Sequence, residues 1–368
     1  MKNDRRARIK EVADRLAAGF VSAGALPVET DSLLPADVLL DLYGEDIRAR
    51  AYVTHDPVQG EQMLRPDFTV PIVQRHMAEG AEPARYTYNG NVWRKQSGGR
   101  PTEYTQVGYE LFDRTDPAGA DAEVFAMFSG MLAGYPIKVT TGDMGILLAA
   151  VDGLKTTDRR RAALRRHVWR PVRFVRLLER YGGMTPPLET RSDLLDQVAA
   201  QGAEKVLAQA GTPQGLRSEQ EVLARIAVLQ QDAAAAPISS EEVQMLEQVL
   251  ALKDTSSAAL ETLRDMAASF PALQAPADAM EDRLKAMAAR RVDVDSLPFE
   301  VSFGRTSMEY YDGFVFGFTS PDRPDLPVVA SGGRYDALTR VLGQGRSIAA
   351  VGGVIRPEAL VAVQEGAL

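Results

Sequence analysis

The residues best suited to chemistry in this sequence are polar side chains spaced along one short segment. Residues 104–110 alternate as a β-strand does, which places Gln106, Gly108 and Glu110 on one face. An amide and a carboxylate two pleats apart can hydrogen-bond a small polar ligand from a fixed platform. The glycine between them leaves room for that ligand to lie against the backbone. This strand is therefore a candidate binding platform.

Two arginines flank the glycine-containing turn that precedes this strand. Arg94 and Arg100 could each fork onto a carboxylate or a phosphate, so Arg100 is a possible anion-binding residue. The same pattern also fits a surface hairpin whose charged and amide side chains face solvent. The spacing alone leaves both interpretations open.

Composition excludes several other kinds of site. The chain has no cysteine, which excludes disulfides, thiolate metal sites and a cysteine nucleophile. Its three histidines, His55, His76 and His167, have no paired metal-ligand spacing, so we predict no metal site. The net charge of -8 disfavours sequence-independent nucleic-acid binding, so nucleic acid is not an expected partner. Without a signal-peptide core or a long apolar run, we expect a cytoplasmic protein and no membrane contact.

The amino-acid composition changes along the chain, and with it the secondary structure expected to position these residues. Residues 26–112 contain short aromatic and β-branched segments between glycine and proline residues, a pattern typical of β-strands, and the same pattern returns near Phe299. Between them lies a long stretch rich in Ala, Leu, Glu, Gln and Arg. We predict an α+β domain formed by residues 1–150 and 292–368, interrupted by an all-helical insertion at residues 151–291.

A basic segment lies within the predicted insertion, at residues 155–181. It carries one lysine and nine arginines against Asp158 and Glu179. A solvated or partner-facing pair of helices is the leading interpretation. A remnant RNA-binding surface and docking onto an acidic subunit are the alternatives.

The candidate platform and two other clusters form a set of motifs in a fixed order. The segments are Leu64–Thr69, Trp93–Arg94 with Tyr104–Phe112, Glu309–Phe316 and Ser331–Leu338. In these segments the sequence resembles histidyl-tRNA synthetase, a class II aminoacyl-tRNA synthetase, whose corresponding motifs are LRPE-x-T (with Asp67 for glutamate), motif 2, LDYY-x-x-x-VF and GGRYDxL. Agreement of several motifs in the same order is more specific than any one of them. The resemblance implies a class II synthetase catalytic-type fold, a mostly antiparallel sheet flanked by helices.

The resemblance also implies a pocket for histidine. The matching positions are Asp67, Thr69, Arg94, Gln106, Glu110, Tyr310, Tyr311 and Tyr335. Glu110 and Tyr311 would face the imidazole, while Asp67, Thr69 and Gln106 would hold the α-ammonium. Arg94 corresponds to the arginine that grips the carboxylate and the α-phosphate, and Tyr335 would line the wall.

Other parts of the synthetase machinery are degenerate in this sequence. The family's arginine that opens RGLDYY falls at Thr306, and the motif 3 arginine that clamps ATP falls at Ala359. Without that positive charge, adenylate formation loses several kcal/mol of transition-state stabilisation. The chain ends at Leu368, so we expect no anticodon-binding domain. We also expect no catalytic residue and no cofactor.

This combination resembles the regulatory subunit family of ATP phosphoribosyltransferase. That resemblance implies a non-catalytic homodimer that joins the short-form catalytic subunit in a hetero-oligomer. It further implies activation of the first step of histidine biosynthesis and feedback inhibition by histidine, an allosteric effect. Two alternatives remain: an active histidyl-tRNA synthetase, and another synthetase-like protein that binds tRNA or an amino acid.

Overall fold

Two compact units make up the chain, and each is described separately. They are the core unit, Met1–Leu147 with Leu250–Leu368, and the helical unit, Leu148–Val249. The computed structural model describes residues 2–37, 50–96, 99–211, 215–305 and 310–366. No described helix combines the length and the apolar composition that a membrane crossing requires.

The core unit contains two β-sheets. Their strands are β1 (Leu26–Pro27), β2 (Leu33–Pro35), β3 (Val53–Asp56), β4 (Gly60–Leu64), β5 (Ala84–Trp93), β6 (Glu103–Phe112), β7 (Lys138–Asp143), β8 (Lys253–Thr255), β9 (Pro298–Glu300), β10 (Phe314–Thr319), β11 (Ala330–Arg334) and β12 (Ala350–Ile355). The large sheet has the order β1-β5-β6-β12-β11-β10-β7-β9-β8, and the small sheet has the order β2-β4-β3. Among the described strand pairs of the large sheet, β1–β5 and β7–β9 are parallel and the others are antiparallel. The predicted mostly antiparallel sheet is confirmed.

Helices flank the large sheet and build the helical unit. They are α1 (Lys2–Ser22), α2 (Thr69–Glu79), α3 (Pro117–Met131), α4 (Met144–Asp152), α5 (Asp158–Arg166), α6 (Pro171–Tyr181), α7 (Glu189–Gln201), α8 (Ala203–Gln209), α9 (Glu219–Ala234), α10 (Ser240–Ala251), α11 (Ser256–Ser269), α12 (Gln274–Ala289), α13 (Asp336–Leu342) and α14 (Pro357–Gly366). A short 3-10 turn, Pro271–Leu273, lies between α11 and α12.

Aromatic side chains form the contact between the large sheet and its helices. On one face, Phe20 of α1 and Phe128 of α3 pack on each other with ring centroids 5.4 Å apart, and Phe20 also contacts Tyr109 of β6 at 5.4 Å. On the opposite face, the His76 ring of α2 stacks on Phe112 at 4.0 Å. Because Tyr109 and Phe112 belong to one strand and point to opposite faces, β6 is buried on both sides.

Helices α11 and α12 belong to the core unit, although the predicted insertion continued to residue 291. Arg283 of α12 is buried, and its guanidinium lies 2.7 Å from Asp143 Oδ2 and 3.6 Å from Asp121 Oδ2. These carboxylates lie at the end of β7 and on α3, so the charges join α12 to the core. The helix-rich composition is the same on both sides of Val249, which is why composition placed this boundary too late.

The helical unit holds part of the basic segment in its interior. Arg160 of α5 is buried, and its Nε donates to Asp232 Oδ1 of α9 at 2.7 Å. Arg173, Arg176 and Arg180 of α6 instead line an open cavity of about 540 Å³. The predicted solvated helix pair therefore divides into an internal arginine and an accessible basic surface.

Candidate functional site

The candidate site lies on the side of the large sheet that carries Glu110, which we call the Glu110 face. Cross-strand pairing places Gly108 opposite Tyr88 and Glu110 opposite Gly352, and paired residues share a face. A Cβ atom at Gly352 would lie 1.6 Å from Glu110 Oε2, and one at Gly108 would lie 2.1 Å from the Tyr88 ring. Glycine is required at both positions because the neighbouring side chains lie flat across the strands.

Glu110 is the centre of the site and is only 1% exposed. Its Oε1 accepts a hydrogen bond from Thr69 Oγ1 at 2.9 Å, and its Oε2 accepts one from Tyr335 OH at 2.6 Å. Burial raises the pKa of this carboxyl to about 8, although both hydroxyl donors oppose the shift. The carboxyl therefore holds a proton at pH 7 and can exchange it with a basic ligand group.

An ion pair borders this carboxyl. Arg94 extends β5 by one step, since its backbone N–H donates to Thr102 O at 2.8 Å. Its guanidinium lies 3.6 Å from Asp67 Oδ2 and donates to Pro66 O at 3.1 Å. Asp67 is buried and also accepts from the Val70 N–H at 3.3 Å. A carboxylate and a guanidinium side by side match the opposite charges of an amino-acid zwitterion.

Arg65 and Tyr88 support this ion pair, and neither was assigned a role from the sequence. The Arg65 guanidinium lies 3.8 Å above the Phe68 ring and donates to Asn91 O at 2.8 Å. Phe68 in turn stacks on Tyr88 at 4.3 Å. The signal in the sequence was an arginine beside leucine and proline in the LRPDFT segment; the structure shows that this arginine is buried, and a buried arginine must be bonded.

Three tyrosines and one amide complete the set of predicted residues. Tyr310 contacts the rings of Tyr311 and Tyr335 edge-on, at 4.9 and 6.1 Å. Burial raises the pKa of Tyr311, so its hydroxyl stays protonated and available as a donor. Gln106 is 2% exposed and pairs across the strands with Gly90 on the Glu110 face. The structure thus brings eight predicted pocket residues to one region.

The remaining predicted positions are Arg100, Thr306 and Ala359. Arg100 is in the connection between β5 and β6. Thr306 lies outside the described residues, as does Glu309. Ala359 is in the first turn of α14 and is 3% exposed. Within the described ranges, no group of three His, Cys, Asp or Glu side chains is arranged to hold a metal ion.

The fold and this cluster define a protein of the histidyl-tRNA synthetase class. The family model for histidyl-tRNA synthetase matches residues 1–231 and 195–360. A structure from Bacillus halodurans, titled ATP phosphoribosyltransferase regulatory subunit/histidyl-tRNA synthetase, aligns with a TM-score of 0.68 at 22% identity and covers 97% of this chain and 79% of that one. Histidyl-tRNA synthetase from Nostoc aligns at 0.65 and 16%, covering 99% and 73%. These likenesses confirm the predicted class II synthetase fold.

Sequence relatives give the particular family. The ATP phosphoribosyltransferase regulatory subunit of Agrobacterium fabrum is 31% identical over 363 residues, which covers 93% of this chain and 94% of that protein. The protein of the same name from Brucella anthropi is 30% identical over 339 residues, covering 88% and 89%. The chain belongs to the ATP phosphoribosyltransferase regulatory subunit family, as its motifs predicted.

Proposed function

We propose that this chain is the non-catalytic regulatory subunit of an ATP phosphoribosyltransferase and that histidine binds at Glu110 as its feedback inhibitor. It acts as a homodimer that joins the short-form catalytic subunit in a hetero-oligomer. A cytoplasmic location follows from the reaction, because ATP and phosphoribosyl pyrophosphate are cytoplasmic metabolites. The hydrogen-bonded cluster of Thr69, Glu110 and Tyr335 is the observation that carries the proposal.

The geometry around Glu110 suits an imidazole ligand. The carboxyl is protonated at neutral pH and can give that proton to an imidazole nitrogen, which leaves a buried ion pair. Tyr311 offers a further hydroxyl near Glu110, and burial keeps it neutral. Asp67 supplies a carboxylate for the α-ammonium. These contacts favour histidine over amino acids whose side chains cannot accept a proton.

The proposal of a non-catalytic role rests on the missing cation at Ala359. Histidyl-adenylate formation places growing negative charge on phosphate oxygens, and a preorganised cation there is worth about 3–4 kcal/mol. A buried methyl group at the position of the motif 3 arginine contributes none of this. The amino-acid half of a synthetase site is therefore retained beside a nucleotide half that lacks this charge.

The test combines the chain with a short-form catalytic subunit. Phosphoribosyl-ATP formation should rise when the chain is added and should fall again with histidine. Glu110→Ala should still assemble and activate but should lose inhibition by histidine, whereas Glu261→Gln, an exposed change on α11, should behave as wild type.

Two results would contradict the proposal. One is the absence of both a complex on sizing chromatography and any stimulation of the catalytic subunit. The other is histidine-dependent pyrophosphate exchange by the purified chain, which would indicate an active synthetase instead.

A further inference from the structure

Arg356 extends the Glu110 face beyond the end of β12. Its backbone N–H donates to Val329 O at 2.8 Å, which continues the pairing of β12 with β11 by one residue. The register pairs Gly352 with Glu110, so Arg356 is opposite Gln106 on the next strand. Because side chains alternate along a strand, Arg356 shares its face with Gly352 and therefore with Glu110.

The guanidinium of Arg356 bonds a backbone carbonyl of the described residues rather than a carboxylate. Its Nη1 donates to Val328 O at 2.7 Å, and it forms no ion pair with any carboxylate of the described residues. Burial lowers the pKa of Arg356; the nearby Tyr104 and Tyr311 hydroxyls oppose this shift, and the Arg94 cation adds to it. The guanidinium is therefore a partly buried cation with no carboxylate partner among the described residues, and it lies at the edge of the candidate site where it can receive an anion.

Arg356 differs in this respect from Arg94. The Arg94 guanidinium lies beside Asp67, whose carboxylate balances its charge. Arg94 also lowers the pKa of Arg356, because two cations on one face repel. An incoming anion therefore gains more from Arg356 than from Arg94.

We infer that Arg356 binds the α-carboxylate of the amino acid that the site accepts. The inference rests on the proposed function, because it takes histidine as the ligand. Arg356 is opposite Gln106, which is four residues from Glu110 along β6, or about 14 Å between backbone positions. Arg356 and Glu110 therefore lie at opposite ends of one stretch of this face, where a single amino acid can contact both.

This arrangement makes Arg356 the residue that separates amino acids from amines. A ligand with an imidazole and an ammonium group but no carboxylate satisfies Glu110 and Asp67, yet leaves the Arg356 cation unpaired. A site built to bond a charged group discriminates strongly against an analogue that lacks it.

Calorimetry with two ligands tests the inference. Histidinol carries a hydroxymethyl group in place of the carboxylate of histidine and is otherwise the same. The wild-type chain should bind histidine on the order of 30-fold more tightly than histidinol, which is about 2 kcal/mol. Arg356→Met should weaken histidine binding by that factor and leave histidinol binding unchanged. Arg356→Lys should retain part of the preference, and Arg340→Met, on the exposed side of α13, should retain all of it.

The ratio of the two affinities keeps the outcomes distinct. Partial unfolding of a variant lowers the binding-competent fraction for both ligands equally and leaves the affinity ratio unchanged. If Arg356→Met does not fold, the ratio measured for Arg356→Lys is the test. An unchanged ratio in Arg356→Met, or in Arg356→Lys in that case, overturns the inference and leaves the proposed function standing. Failure of the wild-type chain to bind histidine at all would refute both.

Discussion

Replacing Glu110 with glutamine should change how the stability of the chain depends on pH. The amide keeps the shape of the side chain, and its oxygen can still accept from one of the two hydroxyls of Thr69 and Tyr335. The amide NH₂ can donate to the other hydroxyl, whose hydrogen is free to rotate. The variant therefore retains the local bonds and loses the titration.

The size of the effect follows from the pKa of Glu110. Burial raises that pKa from 4.5 to about 8, so the folded state holds the proton more tightly than the unfolded chain does. The resulting stabilisation is complete below pH 4.5 and is lost as the pH rises through 8. Between pH 5.5 and pH 8.5, the wild-type chain should lose about 3 kcal/mol of unfolding free energy through this group alone.

Urea unfolding at the two pH values, followed by tryptophan fluorescence, measures the loss. Burial and the nearby Asp336 also raise the pKa of Asp312, to about 6, so both proteins lose some stability with rising pH. The difference between wild type and Glu110→Gln isolates the Glu110 contribution, and Glu261→Gln serves as the exposed control. Parallel pH profiles for wild type and Glu110→Gln would show that Glu110 does not carry a raised pKa.

Two further substitutions test the packing around the site. Gly352→Ala should lower the unfolding free energy by about 1–3 kcal/mol and weaken histidine binding at least tenfold, because its Cβ displaces the Glu110 carboxyl. Urea titration and calorimetry measure the two effects. Gly130→Ala, whose Cβ meets open space, is the control. Arg283→Met should cost about 3–5 kcal/mol by leaving Asp143 and Asp121 buried without their cation. A loss below 1 kcal/mol in the same titration, comparable to that of the exposed Arg290→Met, would contradict it.

Local patterns were sufficient to predict much of the large sheet and of the candidate site. Strand alternation alone put Gln106, Gly108 and Glu110 on one face, because a side-chain period of two is a property of the extended backbone. The motif order then related Tyr335 to Glu110, although 225 residues separate them. Alternation does not determine which distant segments pair, so that step needed the resemblance.

Two features were beyond the reach of local patterns. The end of the compact helical unit at Val249 depends on contacts such as that of Arg283 with Asp143. Amino-acid composition does not predict which arginine forms an ion pair with which carboxylate. The position of Arg356 on the Glu110 face depends on the β12–β6 register. A register is set by packing across strands, and a shift of one residue would have put Arg356 on the opposite face.

Burial of charge explains how a site of this kind could regulate a partner. Burial opposes ionisation of Glu110, and no carboxylate of the described residues pairs with Arg356. On the proposed assignment, histidine forms an ion pair with each of these residues, since its imidazole accepts the Glu110 proton and its carboxylate neutralises Arg356. A ligand shifts a conformational equilibrium only by the difference in its affinity for the two conformations. A conformation in which one histidine reaches both Glu110 and Arg356 gains two ion pairs on binding. A conformation in which these residues are too far apart for one histidine gains a single ion pair. The difference in binding free energy between the two conformations is what feedback inhibition requires.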